Sequence, residues 1–304
     1  MATVGYLGPQ GTFTELAVDA LFSEVEKQPF TTIHESMDAV ASEEVDVALV
    51  PLENAIEGSV NMTLDHLIHK RDLPIAGEII VPIEQHLLVH PDQAERLAEL
   101  ETVYSHPHAI AQCHDFFREE LPEATLASVD STGAAAAKVA ENPDEPIGAV
   151  ANELAAKQYG LVQVKTQIHD YEKNHTRFVV LARKNHPETL PAYQAPKTGV
   201  KTTLMISLPT DYSGALHQVL SAFSWRRLNL SKIESRPMKT GLGNYFFIID
   251  VNHGMDEVLM PGVVAELEAL NCSVRILGSY SCHALPSRTE TEDEKHAEKT
   301  VPES

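Results

Sequence analysis

The residues of this chain whose types suit chemistry collect in five short segments. In residues 173–184 the polar run Asn174, His175, Thr176 and Arg177 abuts the apolar run Phe178, Val179, Val180 and Leu181. Amide, imidazole, hydroxyl and guanidinium groups therefore stand at the entrance of a buried strand. Groups so placed can act on a ligand, and the same pattern arises wherever a loop enters a sheet. In residues 50–60 an apolar strand ends in Glu53 and Asn54 before a glycine loop, which suits the lining of a cleft and equally a cap or turn. Residues 8–12, Gly-Pro-Gln-Gly-Thr, form a glycine turn feeding a helix start, whose free N–H groups suit an anion. In residues 104–113, Ser105 is placed to cap the following helix and Gln112 to lie on its second turn, while two histidines without a carboxylate or cysteine set do not make a metal site. In residues 129–137, Asp130 or Ser131 caps an alanine-rich helix.

The elements that must hold these segments alternate between strand and helix. Strands are expected at residues 3–7, 30–33 and 45–50, with helices from Phe13, where Thr12 and Glu15 fit a capping box, and from Ser36 through Val40. The pattern resumes with strands at 79–82, 87–89, 102–104, 125–129 and 147–150 and helices at 109–121, 132–141 and 152–159. Such alternation implies a mainly parallel sheet covered by helices, with ligands beyond the carboxyl ends of the strands. Residues 184–197 carry three prolines and no periodicity, which reads as a linker. Beyond it the order β-α-β-β-α-β is ferredoxin-like. The end of the chain, from about residue 284, is charged and nearly free of large apolar side chains, so disorder is expected to residue 304.

Composition narrows the function. A net charge of -21 over 304 residues disfavours nucleic acid or an anionic membrane as partner. No run reaches the roughly 18 apolar residues of a membrane span, and residues 1–8 have neither the basic nor the apolar region of a signal peptide. A cytoplasmic location is the expectation. Cys113, Cys272 and Cys282 lack metal spacing and cannot all pair, so reduced thiols are expected. The same charge sets a problem, because an anionic substrate needs a locally positive pocket within a repelling field.

Taken in order, Gly8-Pro-Gln-Gly-Thr-Phe, Val50-Pro-Leu-Glu-Asn, Ser105-His-Pro-His-Ala-Ile-Ala-Gln-Cys, Asp130-Ser-Thr and Asn174-His-Thr-Arg-Phe resemble the motif series of prephenate dehydratases. Further on, Gly214-Ala-Leu-His and Glu234-Ser-Arg-Pro resemble the effector motifs of that family's ACT domain, and the likeness spans about residues 3–283. The family's second motif usually runs Pro-Ile-Glu-Asn-Ser, where this chain has Leu52 and Ala55. Its third usually has Gln where this chain has His108.

The resemblance implies an α/β fold: a two-lobed catalytic domain like a type II periplasmic binding protein, followed by a ferredoxin-like ACT domain. It implies a catalytic domain over 1–184, with lobe one at about 1–76 plus 165–184 and lobe two at about 77–164. A linker at 185–199, an ACT domain at 200–283 and a disordered tail at 284–304 complete the expected layout. The implied reaction is decarboxylation and dehydration of prephenate to phenylpyruvate, without metal or organic cofactor. Thr176 is implied as donor to the departing hydroxyl, with Glu53 as the alternative acid. Arg177 is implied on a substrate carboxylate, with Asn54, Ser105, Gln112, Asp130, Thr12 and Phe178 binding the substrate. Gly214, Ala215, Leu216, His217, Glu234, Ser235, Arg236 and Pro237 are implied to hold L-phenylalanine as an allosteric effector between the subunits of a homodimer or homotetramer. Arogenate dehydratase and a non-catalytic amino-acid sensor are the competing readings.

Overall fold

The computed structural model describes residues 1–184, 190–210, 212–238 and 245–286. Residues 185–189 of the expected linker, and the expected tail from residue 287 onward, lie outside the described residues. The chain divides into two compact units, one holding residues up to Asp72 with Ile79–Ala195, the other Leu73–Glu78 with Pro196–His283.

The first unit begins with β1 (Thr3–Leu7), α1 (Phe13–Leu21), β2 (Glu26–Phe30), α2 (Ile33–Ala41), β3 (Val47–Asn54), the short β4 (Gly58–Ser59) and α3 (Asn61–His69). β5 (Ile75–Pro82) leads into a second lobe: β6 (His86–Val89), β7 (Thr102–Ser105), α4 (Pro107–Ala111), α5 (His114–Glu120), β8 (Thr125–Ser128), α6 (Thr132–Glu141), β9 (Ile147–Ala151), α7 (Glu153–Tyr159) and β10 (Val162–Lys165). β11 (His175–Ala182) then returns to the first lobe, antiparallel to β3, which pairs with β1 as β1 does with β2, both in parallel. The second lobe's sheet runs β10-β6-β9-β7-β8 and is parallel only from β9 to β8. The sheets are thus mixed rather than mainly parallel, because the strands that enter and leave each lobe run against the rest.

Three local expectations are corrected by capping. The second strand lies at Glu26–Phe30, not 30–33, because Thr32 and Glu35 form a reciprocal capping box that starts α2 at Ile33. Ser36 is then inside that helix, donating to Ile33 O. At α1, Thr12 Oγ1 accepts from Glu15 N, but the Glu15 carboxylate turns to Gly11 N at 2.7 Å, so only half the expected box forms. The helix expected over 109–121 breaks at Gln112 and Cys113, where Asp170 accepts from the N–H groups of His114 and Asp115 and starts α5 afresh. That break leaves Gln112 as the C-terminal cap of α4.

Strand alternation sorts the second lobe's core into two layers. On β6, Leu87 and Val89 face a cluster with Val103, Phe117 and Val150, while Leu88 faces Ala135, Val139, Ala149 and Ala155. Helices therefore cover both faces of the sheet. In the first lobe Phe178, Val179, Val180 and Leu181 are all buried, so β11 is fixed on both faces and its mouth has little freedom.

The second unit contains β12 (Lys197–Ser207), α8 (Ala215–Ser224), β13 (Leu230–Pro237), β14 (Tyr245–Val251), α9 (Leu259–Ala269) and β15 (Ser273–Ala284). Its antiparallel strand order, β13-β14-β12-β15, is the ferredoxin-like one that the element sequence predicts. Leu204, Ile206, Val219, Phe223, Ile249, Val263 and Leu267 make one core between sheet and helices. Burying each such side chain contributes about 1.5–3 kcal/mol.

Candidate active site

β3 ends where β11 begins, with Asn54 opposite Thr176 and Glu53 opposite Arg177. Side chains alternate across a strand, so Thr176 and Phe178 share one face and Arg177 takes the other. Between Arg177 and Phe178 the register slips, and Phe178 pairs with Pro51 rather than Leu52. The bulge shifts the phase of β3. It allows Pro51 and Asn54 both to join Thr176 and Phe178 on the wall of a cavity of about 840 Å³. Gly8, Gln10, Thr12 and Glu57 add to that wall from the first lobe, and Gln85, His106, His108, Gln112, Asp130 and Thr132 from the second.

One hydrogen-bond chain fixes the chemistry at Thr176. Asn54 Oδ1 accepts from the backbone N–H groups of Ile56 at 2.9 Å and Glu57 at 3.1 Å. Its Nδ2 must then face β11, where it donates to Thr176 Oγ1 at 2.9 Å and Asn174 Oδ1 at 3.0 Å. A hydroxyl oxygen that already accepts from Asn54 retains its own proton for donation. Among the described residues no protein acceptor takes that proton, and Thr176 stands on the cavity wall.

The expected site residues divide into those the fold brings to the cavity and those it does not. Thr176, Asn54, Gln112, Asp130, Thr12 and Phe178 line it; Glu53, Arg177 and Ser105 do not. Arg177 Nη1 lies 3.6 Å from Glu53 Oε2 on the opposite face of the strand pair, with the arginine buried. Strand alternation thus sets Arg177 and Glu53 against each other behind the cavity wall rather than on it. Ser105 caps no helix: it ends β7, fully buried, with its hydroxyl donating to Val150 O at 2.7 Å, and His106 is the N-terminal cap of α4.

The charged and titratable side chains on the wall are Glu57, Asp130, His106, His108 and Tyr159, and among the described residues no lysine or arginine lines it. Positive potential must come mainly from backbone. The first turns of α1 and α6 reach the cavity at Phe13, Thr14, Thr132 and Ala134, and a helix N-terminus carries about half an elementary charge. Thr12 and Ser131 each cap one N–H, leaving other first-turn donors for an anion. Gln85 and Gln112, both buried on the wall, each hold an Oε1 without a protein partner. Among the described residues no group of three or more His, Cys, Asp or Glu is arranged to hold a metal.

In the sequence His106 and His108 stood out as two histidines without a metal-ligand set, His108 also as a departure from the family motif, and Glu57 had no signal beyond its place after Asn54. In the fold His108 Nδ1 lies 2.6 Å from Glu57 Oε2, linking the lobes at the cavity. His106 Nδ1 accepts from His108 N at 3.3 Å. Burial pushes the His106 imidazole below its ordinary value, His108 adds to that, and Glu57 and Asp130 oppose it. The unfolded chain then binds this proton more readily than the native one, so stability is lost as pH falls below about 6.5. A His106→Asn variant keeps a capping side chain but no titration. Its melting temperature should fall less between pH 7.5 and 5.5 than the wild type's, which differential scanning fluorimetry can measure.

In the second unit Gly214 is the left-handed N-terminal cap of α8, with φ 93°, and Ala215, Leu216 and His217 form the first turn. Residues Glu234, Ser235, Arg236 and Pro237 form the last half of β13. Alternation places Glu234 between Lys232 at 3.2 Å and Arg236 at 2.9 Å on one face, with Ser235 exposed on the other.

Fold and site together define a two-lobed α/β protein with a polar-lined cavity walled by both lobes. Comparison with known proteins makes this specific. The family model "Prephenate dehydratase" matches residues 4–186. Prephenate dehydratase from Bacillus subtilis (strain 168) is 54% identical over 287 residues, covering 93% of this chain and 99% of the relative. Among solved structures, prephenate dehydratase from Arthrobacter aurescens in complex with L-Phe superposes with a TM-score of 0.77 at 32% identity, covering 98% of each chain. The enzyme from Staphylococcus aureus gives 0.76 at 31% identity, covering 91% of this chain and 99% of that one. The chain belongs to the prephenate dehydratase family.

Proposed function

We propose that this protein is a lyase that converts prephenate to phenylpyruvate, with Thr176 as hydrogen-bond donor to the departing hydroxyl. The ring carboxylate leaves as carbon dioxide, and its bonding pair moves through the diene to expel hydroxide from the far ring carbon. One proton converts that hydroxide to water. Aromatisation drives the step, so the protein's task is to hold the dianion and stabilise the leaving oxygen.

The observation that carries this reading is the orientation of Asn54. With its oxygen tied to two backbone N–H groups and its nitrogen to Thr176, the threonine proton is left for the cavity. A preorganised donor aimed at developing negative charge is an effective catalytic device in a site that excludes water. First-turn N–H groups of α1 and α6 hold the carboxylates, and one of the two free acceptors, Gln112 Oε1 or Gln85 Oε1, takes the single proton of the substrate hydroxyl in the ground state. Phe178 packs against the ring. Arg177 and Glu53 are assigned a supporting role, clamping β11 to β3 from behind the wall.

The test is phenylpyruvate absorbance with prephenate and arogenate supplied separately. Turnover of prephenate is expected; turnover of arogenate alone would make this an arogenate dehydratase, its ammonium group answering Asp130 or Glu57. Turnover of neither would leave the amino-acid sensor.

For regulation, we propose that L-phenylalanine binds the ferredoxin-like unit of a dimer or tetramer at the α8 start and β13, as an end-product inhibitor. A solved relative holds L-Phe. Calorimetric titration of the intact protein should detect binding, and saturating L-phenylalanine should weaken prephenate use by about 5- to 150-fold. Absence of both heat and inhibition would remove this assignment.

A further inference from the structure

The turn before α1 does more than border the cavity. Its Gly11 carbonyl accepts from Asn152 Nδ2 at 3.1 Å, and its Gln10 carbonyl accepts from the Tyr159 hydroxyl at 3.3 Å. Asn152 and Tyr159 belong to the second lobe, at the start and end of α7. Asn152 is 1% exposed. Its Oδ1 caps α7 by accepting from Ala155 N at 2.8 Å, so its amide N–H groups are held toward the turn. From the first lobe, Glu15 Oε2 accepts from Gly11 N at 2.7 Å, and Lys27 holds Glu15 at 2.6 Å. Gly11 is therefore gripped by both lobes at once.

Two glycines make the approach possible. Gly11 has φ +77°, and a side chain on it would meet Ala155 and Tyr159 at about 3.1 Å. On α6, a Cβ at Gly133 would stand 2.3 Å from Gln10 O, a distance that backbone cannot tolerate. The residues beside this seam, Gln10, Thr12, Thr132 and Tyr159, are themselves on the cavity wall.

We propose that Asn152 is a positioning residue for the reaction: with Gly133, it seats the Gly8–Thr12 turn on the second lobe and so keeps the cleft in the shape that retains substrate. Asn152 does not line the cavity and acts only through the turn. The kinetic part of the inference rests on the reaction proposed above; the geometric part does not.

Asn152→Asp separates the two tasks of this side chain. Aspartate caps a helix as well as asparagine, but it sets an oxygen where Gly11 O requires a donor. The melting temperature should stay close to that of the wild type, while KM for prephenate rises about tenfold or more. Because saturating substrate still draws the lobes together, kcat should stay within about threefold. In the ligand-free protein, the distance between spin labels at Lys70→Cys and Glu119→Cys, one exposed on each lobe, should broaden and lengthen; the three native cysteines are buried. Gly133→Ala should shift both readouts in the same direction. An Asn152→Asp protein with wild-type KM, or with an unchanged distance distribution, overturns the proposal. If the wild type turns over no prephenate, the reaction reading fails and the label distances alone decide this one.

Discussion

Replacing Thr176 with alanine is expected to lower kcat for prephenate by about 10²- to 10³-fold, or 2.7–4 kcal/mol, with little change in KM. The hydroxyl matters only as negative charge gathers on the departing oxygen, so its loss falls on the transition state rather than on binding. The fold loses one hydrogen bond with it, from Asn54 Nδ2, which still donates to Asn174 Oδ1, while β11 is held by its paired neighbours and by the buried Phe178, Val179, Val180 and Leu181. Steady-state kinetics beside a thermal melt separates the two contributions. A Thr176→Ala protein with near-normal kcat would remove the central assignment.

Changing Asn54 to aspartate is expected to cost at least as much, about 10²-fold or more in kcat, although a single nitrogen becomes an oxygen. One carboxylate oxygen still accepts from Ile56 N and Glu57 N, so the turn after β3 keeps its shape. The other oxygen now accepts from Thr176, which reverses the hydroxyl and withdraws its proton from the cavity. It also places a new negative charge on a wall that already carries Glu57 and Asp130 and no lysine or arginine among the described residues. A dianionic substrate meets that charge at close range, so KM should rise by roughly tenfold as well. Wild-type kcat in Asn54→Asp would show that the direction of the Thr176 proton is immaterial. A large drop in melting temperature would instead show that Asn54 acts mainly on the fold.

Much of this arrangement was legible in the sequence. The alternation of apolar strands and amphipathic helices announced the α/β lobes, and the βαββαβ order announced the ferredoxin-like unit, because both rest on periodicities of local side chains. Thr176 was legible as a polar residue at the entrance of a buried strand, Asn54 at the end of one, and Gln112 and Asp130 near helix starts. What the sequence hid depends on pairings between distant segments. That Arg177 faces Glu53 follows from strand alternation and the β3 bulge, which no local pattern shows. Asp170 caps α5 from more than fifty residues away, so no local signal marked the break that leaves Gln112 at the end of α4. The Asn152 to Gly11 bond joins residues 141 apart, and neither neighbourhood advertises the other. The second strand was misplaced for a local reason: Thr32 and Glu35 form a capping box, which outweighs the strand preference of Ile33 and leaves Phe30 as the strand's last residue.

The charge problem also found a different answer from the one the resemblance suggested. A chain with a net charge of -21 needs a locally positive pocket for an anion, and the resemblance supplied Arg177 for it. The cavity instead has two helix starts and two histidines, one of them disfavoured as a cation by burial. Backbone donors bring local positive potential without a side chain that must itself be desolvated.

The most direct test compares phenylpyruvate formation from prephenate by Thr176→Val and Thr176→Ser in single-turnover experiments. Valine keeps the volume of threonine and removes only the hydroxyl; serine keeps the hydroxyl and removes only a methyl. The account predicts that serine stays within about tenfold of the wild type and that valine falls about 10²- to 10³-fold, as alanine does. A valine variant that forms phenylpyruvate at the wild-type rate would contradict it.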